Sequence, residues 1–279
     1  MDARPSASSL HRSAHGAADR ATDSTAFEYT ARIGFAASGV LHLLVAYIIG
    51  RLAFVGGAGS ADQSGALATL GSQTGGAVML WVVAVGLVAL GLWRIAEAVI
   101  GSKPGERSTG QDNPAWKRGK SAGLAIVNFA IAFSAARFAM GSGQSSGQQN
   151  SGMSAQLMQS GWGRALLIGV GVGVLGVGAY HVYKGVSQKF LDELKVSGGT
   201  GITAAGVVGY VAKGIVLGGA GLLVVVATLQ ADPSKASGID AAVKTLGEAP
   251  FGKFLLVAAA LGIAAFGVYN FIRSRYNRM

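Results

Sequence analysis

Six apolar stretches of about 20 residues each are the feature that most constrains how this chain can fold. A membrane-spanning α-helix needs ~20 mostly apolar residues to cross a hydrocarbon core roughly 30 Å thick. Hydrophobic residues make up 51% of the chain and charged residues only 13%, about half the charged fraction of a soluble domain. The sequence therefore predicts an integral membrane protein with six spans, at residues 33–55, 77–100, 121–140, 164–183, 207–229 and 254–272.

We do not expect the first span to be a cleavable signal peptide, because over thirty mostly polar residues precede it. Residues 1–26 are rich in Ala, Ser, Arg and Asp and show no apolar periodicity, so we expect a disordered tail. The first span is also too long for the apolar core of a signal peptide.

The distribution of Lys and Arg predicts the orientation of the spans. The net charge is +10, but the basic residues lie between apolar stretches rather than on one soluble surface, which argues against nucleic-acid binding. Fifteen of them fall on the side of the two termini and six on the opposite side. Because cytoplasmic loops carry the excess of positive charge, we expect a multi-pass protein of the plasma (inner) membrane with both termini in the cytoplasm.

The sequence repeats itself at intervals of about 90 residues. "TLGSQTGGAVMLWVVAVGLVALGLWRI" at 69–95 and "TLGEAPFGKFLLVAAALGIAAFGVYNF" at 245–271 share a Thr-Leu-Gly start, a long apolar run and a final Gly-x-aromatic. An aromatic residue marks the end of every second span: Trp93, Tyr180 and Tyr269. Each unit crosses the membrane twice, so all units enter from the same side as parallel repeats. We predict three units, at 27–105, 106–194 and 195–279.

A short amphipathic segment separates the two spans of a unit. Ile239, Val243 and Leu246 have the spacing of one helical face, and Met153 and Leu157 retain part of this pattern in the second unit. We expect each segment to form a helix on the outer surface of the membrane. The predicted fold is an all-α integral membrane protein with six transmembrane helices, arranged as three parallel two-helix repeats around a pseudo-threefold axis.

The repeated unit resembles that of a bacterial, mainly actinobacterial, membrane family known as domain of unknown function number 1206. The stretches that carry the resemblance are "ADQSGALATLGSQTGGAVMLWVVAVGLVALGLWRIAEA" and "GIDAAVKTLGEAPFGKFLLVAAALGIAAFGVYNFIRSRY". The resemblance covers roughly residues 28–279 and implies three tandem copies of a two-helix unit. It implies no activity. The second unit departs from the pattern, because "MQSGWGRALL" lacks the Pro-Phe-Gly-like junction.

Two sets of polar residues occupy equivalent positions in the three units. The first set directly follows the aromatic anchors, and the second lies one helical turn further on. Ionisable groups in spans usually face a bundle interior or a watery cavity. One hypothesis is therefore that the sets line a cytoplasmic vestibule, with Glu97 as a charge-paired gate or coupling site and Lys213 at similar depth. The sets are Arg94, His181 and Asn270, and Glu97, Lys184 and Arg273.

A purely structural role is the alternative, and the sequence favours it. Arg94 and Glu97 are three residues apart and can pair on one helix. Lys184 and Arg273 can extend into the lipid headgroups, and the aromatic anchors fit an interfacial belt. His42, in the first span, is interpreted as a packed core residue rather than a ligand.

Glycines within the apolar runs predict close helix packing. A G-x-G-x-x-G match lies inside the fourth span, where a nucleotide site is not expected because no strand precedes it. The chain has no Cys and four His, so neither a metal site nor a cofactor is expected. The predicted packing glycines are Gly39, Gly123, Gly214, Gly169, Gly173 and Gly218.

Three classes of function fit a chain of this kind. A non-enzymatic scaffold or accessory subunit would lie in the lipid bilayer and bind a membrane protein, or a second copy of itself, through glycine-rich faces. A small-solute or ion transporter or channel would need a central path. Mitochondrial carriers share the six-span, three-repeat layout, but their helix-closing proline motif is absent because no span contains Pro. An enzyme is not expected, since the ionisable groups are scattered over different units. The scaffold is the favoured interpretation, with the transporter as the alternative.

Overall fold

The computed structural model describes residues 25–56, 59–100, 114–196 and 198–277. Residues 1–24, most of the predicted tail, lie outside the described residues. Six helices in the described part are long and apolar enough to cross a membrane, as predicted. In chain order the α-helices are α1 (Thr25–Val55), α2 (Gln63–Gly71), α3 (Gly76–Ile100), α4 (Pro114–Ala139), α5 (Ser146–Met158), α6 (Gly161–Val186), α7 (Thr200–Gln230), α8 (Ile239–Glu248) and α9 (Gly252–Tyr276).

The long helices α1, α3, α4, α6, α7 and α9 mostly extend beyond the apolar stretches. A span predicted from hydropathy stops at the first polar residues, whereas the hydrogen bonds of the helix continue through them. For this reason α7 begins at Thr200, well before the apolar stretch that starts at residue 207. Helix α4 begins at Pro114, a position where proline sacrifices no helical hydrogen bond.

The bundle has two distinct ends, because successive long helices run in opposite directions. The start of α1 contacts the end of α9, where Arg32 Nη1 donates to the Ser274 carbonyl (2.8 Å). The start of α4 likewise contacts the end of α6, where Lys120 Nζ donates to Tyr180 Oη (3.4 Å). This end, at which α1, α4 and α7 begin and α3, α6 and α9 end, is named the terminal face. The opposite end, with α2, α5 and α8, is named the surface-helix face.

The most extensive helix contacts join one predicted unit to the next. Helix α3 packs along α4, α6 along α7, and α9 along α1. Within the first and third units, α1 also packs on α3 and α7 on α9. In the described part of the second unit, α4 and α6 do not pack along each other. Because one of three equivalent pairs is missing, the pseudo-threefold axis stays a prediction.

Glycine backbones bring α6 and α7 into close contact. A Cβ at Gly214 would lie 2.6 Å from the Gly178 carbonyl oxygen, and one at Gly171 would lie 2.9 Å from that of Gly221. The backbone of Gly218 also faces Gly178, its nitrogen 2.5 Å from where the Cβ of Gly178 would stand. Between α1 and α9, a Cβ at Gly39 would meet the Phe271 ring at 2.8 Å.

Three of the predicted packing glycines lie elsewhere. Gly123, Gly169 and Gly173 have no atom within 4 Å of an added Cβ among the residues described, and the same holds for Gly218, which contacts α6 through its backbone alone. The face of α6 that packs on α7 is therefore formed by Gly171 and Gly178. The reason is the phase of the helix, because glycines two residues apart point to different sides.

The three short helices pack on the surface-helix face, but α5 buries different residues from those that the sequence pattern predicts. α2 buries Leu67 and Leu70, and α8 buries Val243. In α5, Ser154 and Met158 are buried while Met153 is 59% exposed. The predicted pattern is thus shifted by one residue. The sequence of α5 is mostly polar, so its packing partners on α6 and α7 decide which side is buried.

Candidate functional site

Several charged side chains pair at the terminal face, and Arg94 and Glu97 form the first pair. Arg94 Nη1 lies 2.6 Å from Glu97 Oε2 on the same helix. The hydroxyl of Ser121, on α4, donates to the same carboxylate oxygen (3.0 Å). Glu97 therefore joins the first unit to the second as well as pairing locally.

His181 and Asn270 hydrogen-bond within their own helices. His181 Nδ1 is 2.9 Å from the Val177 carbonyl oxygen. Asn270, which is 2% exposed, donates to the Phe266 carbonyl oxygen (2.8 Å). Each member of the first polar set, Arg94 included, is thus bonded one turn or less away along its own helix.

Lys184 and Arg273, from the second set, meet on a residue that the sequence analysis missed. Glu193 lies in a short 3₁₀ helix, Leu191–Glu193, between α6 and α7. Its Oε1 is 2.5 Å from Lys184 Nζ, and its Oε2 is 3.1 Å from Arg273 Nη2. Lys120 Nζ, on α4, lies 4.0 Å from Oε1. One carboxylate therefore contacts cations from three of the long helices.

Lys184 Nζ donates a hydrogen bond to Glu193 Oε1, whereas the contact between Glu193 and Arg273 is an ion pair without an aligned hydrogen bond. Glu193 Oε2 and Arg273 Nε are buried without a hydrogen bond, although Oε2 lies close to the guanidinium. The guanidinium also lies over the Phe35 ring at 4.4 Å, a favourable cation–π contact. Burial alone would raise the pKa of Glu193, but Lys184, Arg273 and Lys120 outweigh it and hold the pKa of this carboxyl below its ordinary value.

The segment that carries Glu193, residues 188–196, is inserted into the terminal face and is named the plug. Phe190 is fully buried. Its ring stacks on Tyr210 at 5.4 Å and meets the edge of Tyr269 at 5.2 Å. Tyr269 Oη donates to the Phe190 carbonyl oxygen (3.0 Å). Gly206 leaves room for Phe190, because a Cβ there would stand 2.2 Å from its ring. The plug is therefore packed between side chains of α7 and α9 at this end of the bundle.

The sequence contained a signal for the plug, namely two apolar residues four apart, Phe190 and Leu194, in the loop between α6 and α7. Both are buried at 1% exposure or less. Such spacing indicates a segment with one buried side. The signal lies outside the spans, in a connecting segment where buried residues are not ordinarily expected.

Lys213, on α7, contacts His42 on α1. His42 Nδ1 is 2.7 Å from the Ser38 carbonyl oxygen, which leaves Nε2 to accept a bond from Lys213 Nζ at 3.4 Å. The ammonium also lies 4.1 Å from the centre of the Phe266 ring. Among the described residues, no Asp or Glu forms an ion pair with Lys213. This contact is unusual, since a buried cation in a spanning helix normally has a carboxylate partner.

At the surface-helix face, hydrogen bonds join the starts of the three short helices. Asp240 Oδ1 accepts from the Ala61 backbone N–H (2.8 Å), which links the third unit to the first. Ser64 Oγ accepts from the Ser146 N–H (3.0 Å), which links the first to the second. Asn150 donates to the Ser237 carbonyl oxygen at 3.4 Å. We name this junction the cap.

The described residues offer little to a metal ion. In residues 25–56, 59–100, 114–196 and 198–277, no three His, Asp or Glu side chains converge. The acidic groups nearest the bundle interior, Glu97 and Glu193, are already engaged by Arg94, Lys184 and Arg273.

The fold and the site together define a polytopic helical membrane protein, built from repeated two-helix units. The sequence profile described as Domain of Unknown Function (DUF1206) matches residues 33–101, 120–188 and 208–277. The chain belongs to this family, and the three tandem repeats are confirmed. Each matched stretch lies within one predicted unit, whose outer limits stay predictions.

A relative from Bacillus subtilis (strain 168) matches nearly the whole chain. It carries the name Uncharacterized protein YxxB and is 29% identical over 261 residues, which cover 89% of this chain and 90% of the relative. No solved structure matches the chain.

Proposed function

We propose that this protein is a non-enzymatic membrane scaffold or accessory subunit, which binds another membrane protein or a second copy of itself. The observation that carries the proposal is that packed protein lies at both ends of the described bundle. The plug packs Phe190 and Glu193 into the terminal face, and the cap joins α2, α5 and α8 on the other face. A bundle that is packed at both ends suits a protein that acts by binding a partner along its lipid-facing surface.

The side offered to a partner is the second unit. Here α4 and α6 do not pack along each other in the described structure, although their counterparts in the other units do. Gly169, Gly173 and Gly176, on α6, have no atom within 4 Å of an added Cβ. Glycines spaced in this way allow another helix to approach closely in a membrane, where packing and not hydrophobicity drives helix association. The partner we propose is therefore a transmembrane helix.

We place the protein in the plasma (inner) membrane, with the terminal face in the cytoplasm. The support is the excess of Lys and Arg on the side of this face, fifteen against six. Loops on the cytoplasmic side carry this excess.

Labelling with a charged thiol reagent tests the proposal, because the chain has no Cys of its own. Single cysteines at Arg94, His181 and Asn270 would be compared with exposed controls at Ser187 (terminal face) and Gln148 (surface-helix face). We expect the three interior positions to stay unlabelled in whole cells and in inverted vesicles. Ser187→Cys should label only in inverted vesicles and Gln148→Cys only in cells. Labelling of all three interior positions from the terminal face would overturn the closed scaffold.

Transport of a small solute or ion is the second candidate, with a vestibule lined by the two polar sets. The observation that favours it is Lys213, whose described partners are His42 and the Phe266 ring instead of a carboxylate. An unmatched positive charge at this depth would attract an anion. Chloride entry into liposomes, measured with a chloride-quenched dye, tests this. Transport predicts a flux that Lys213→Gln abolishes and that Lys235→Gln, an exposed control, leaves intact.

A further inference from the structure

A pocket of about 420 Å³ opens on the surface-helix face, far from the plug. It lies between the end of α1, the start of α2 and the end of α4. Its polar side includes Tyr47, Arg51, Ser60 and Ser145, and its apolar side includes Leu52 and Phe138. Neither the polar sets nor the cap accounts for this combination.

Arg51 is the only charged side chain among the described residues that line the pocket. It forms no ion pair or hydrogen bond with the described part of the chain. The acid on the adjacent helix, Asp62, accepts bonds from Ser64 and Gly65 within its own helix start. A guanidinium with free N–H groups presents a planar fork that matches an oxyanion.

Hydroxyl groups supply further donors beside Arg51. Tyr47 precedes Arg51 by four residues on α1, so the two side chains lie on the same side of the helix. Ser60 Oγ and Ser145 Oγ are 2.8 Å apart. One of these hydroxyls donates to the other, so one hydroxyl proton of the pair remains available to a ligand.

The architecture of the repeats does not explain Arg51. In the register that aligns Gly39, Gly123 and Gly214, the positions equivalent to Arg51 are Ala135 and Val226. Both are apolar, so an arginine at this position is not needed to fold a unit.

The depth of the pocket points to the boundary between lipid tails and headgroups. Arg51 lies in the last turns of α1, which ends at Val55. Trp162 and Phe251, at the starts of α6 and α9 on the same face, are each 80% exposed, as expected for an interfacial aromatic belt. A ligand here would find donors for an anionic group on one side and apolar side chains on the other.

We propose that this pocket binds a phosphate group, with Arg51 as its principal ligand and Tyr47 and the Ser60–Ser145 pair as additional donors. The phosphate belongs to a lipid headgroup or to a soluble phosphate compound, since both present the same oxygens. The site is separate from the axis of the bundle and does not depend on whether the protein is a scaffold or a transporter.

Native mass spectrometry of the protein from nanodiscs tests the proposal and distinguishes the two sources. The lipid is an equal mixture of phosphatidylglycerol and phosphatidylcholine, and inorganic phosphate is titrated separately by calorimetry. Retention of either phospholipid that falls at least tenfold in Arg51→Gln assigns the site to a headgroup, since both lipids carry a phosphate. Saturable binding of inorganic phosphate that Arg51→Gln abolishes, without lipid retention that depends on Arg51, assigns it to a soluble compound.

Lys253→Gln is the matched control, because it removes one positive charge from the same face outside the pocket lining. We expect this variant to bind like the unmodified protein. Equal binding by Arg51→Gln and the unmodified protein, equal loss in both variants, or no binding of either ligand would overturn the proposal.

Discussion

Replacement of Glu193 by Gln tests how much the negative charge of this side chain, as distinct from its size, stabilises the position of the plug. Gln keeps the size of the side chain but leaves Lys184 and Arg273, whose side chains are 8% and 10% exposed, without their shared carboxylate. Removal of one partner from a buried ion pair costs about 3–5 kcal/mol. Because 26% of the Glu193 side chain is exposed, we expect the lower end, about 3 kcal/mol, which corresponds to more than roughly a 100-fold change in an equilibrium constant.

The opening of the plug can be measured at Leu194, which is 1% exposed. A cysteine there reacts with a water-soluble thiol reagent only when the plug leaves the bundle. When closing is faster than labelling, the labelling rate is proportional to the open population. In nanodiscs, Glu193→Gln should therefore raise the labelling rate of Leu194→Cys roughly 100-fold.

Glu97→Gln serves as the control on the same face. The side chain of Glu97 is 37% exposed and its ion pair with Arg94 is local, so its loss costs less than about 1 kcal/mol. We expect this variant to change the labelling rate at Leu194 by less than about fivefold. Equal rates in the Glu193→Gln and Glu97→Gln backgrounds would refute the view that buried charge holds the plug.

Three further predictions concern packing, pH and the cap. Gly214→Leu should lower the free energy of unfolding in mixed micelles by about 1–3 kcal/mol, because its Cβ would stand 2.6 Å from a carbonyl oxygen of α6. Gly173→Leu is the control, because the space around this glycine is open. We expect it to change the free energy of unfolding by less than about 0.5 kcal/mol. Since the pKa of Glu193 is lowered on folding, its contribution to stability is fully present above the ordinary pKa of Glu and is lost as the pH falls through the lower folded value. The 13C chemical shift of this carboxyl should therefore still be that of an ionised group at about pH 4.3, and a protonated shift there would contradict the assignment. Asp240→Ala should cost about 1–3 kcal/mol in the same unfolding assay, because the buried N–H of Ala61 loses its acceptor; an unchanged unfolding curve would show that the cap does not stabilise the protein.

The spans and the repeats could be predicted from the sequence because their signals are local and strong. An apolar run of sufficient length has few alternatives to a spanning helix. The pairing of Arg94 with Glu97 was also predictable, since residues three apart on a helix are neighbours. By contrast, the contact between Glu193 and Arg273 joins residues far apart in sequence, and no local pattern encodes such a contact.

The contact face of α6 could not be predicted for a different reason. Glycine occurs at every second position from 169 to 173, so a helical-face argument fits Gly169 with Gly173 as well as it fits Gly171 with Gly178. The choice depends on which side of the helix α7 approaches. The side of α6 that α7 approaches is determined by the packing of the whole bundle, so it cannot be predicted from the residues of α6 alone.

The position of the plug has a consequence for the order of biosynthesis. Phe190 and Tyr269, which share a hydrogen bond, are 79 residues apart, so at roughly 5–20 residues per second the ribosome needs about 4–16 s to make the second partner after the first. During that interval Phe190 and Glu193 lack α9, and the contact of α9 with α1 is also absent. The contacts between the plug and α9 therefore form only after α9 has entered the membrane. Until then, a nascent chain exposes an aromatic ring and a carboxylate that lacks its Arg273 partner, which quality-control proteases could use to distinguish unfinished chains from complete ones.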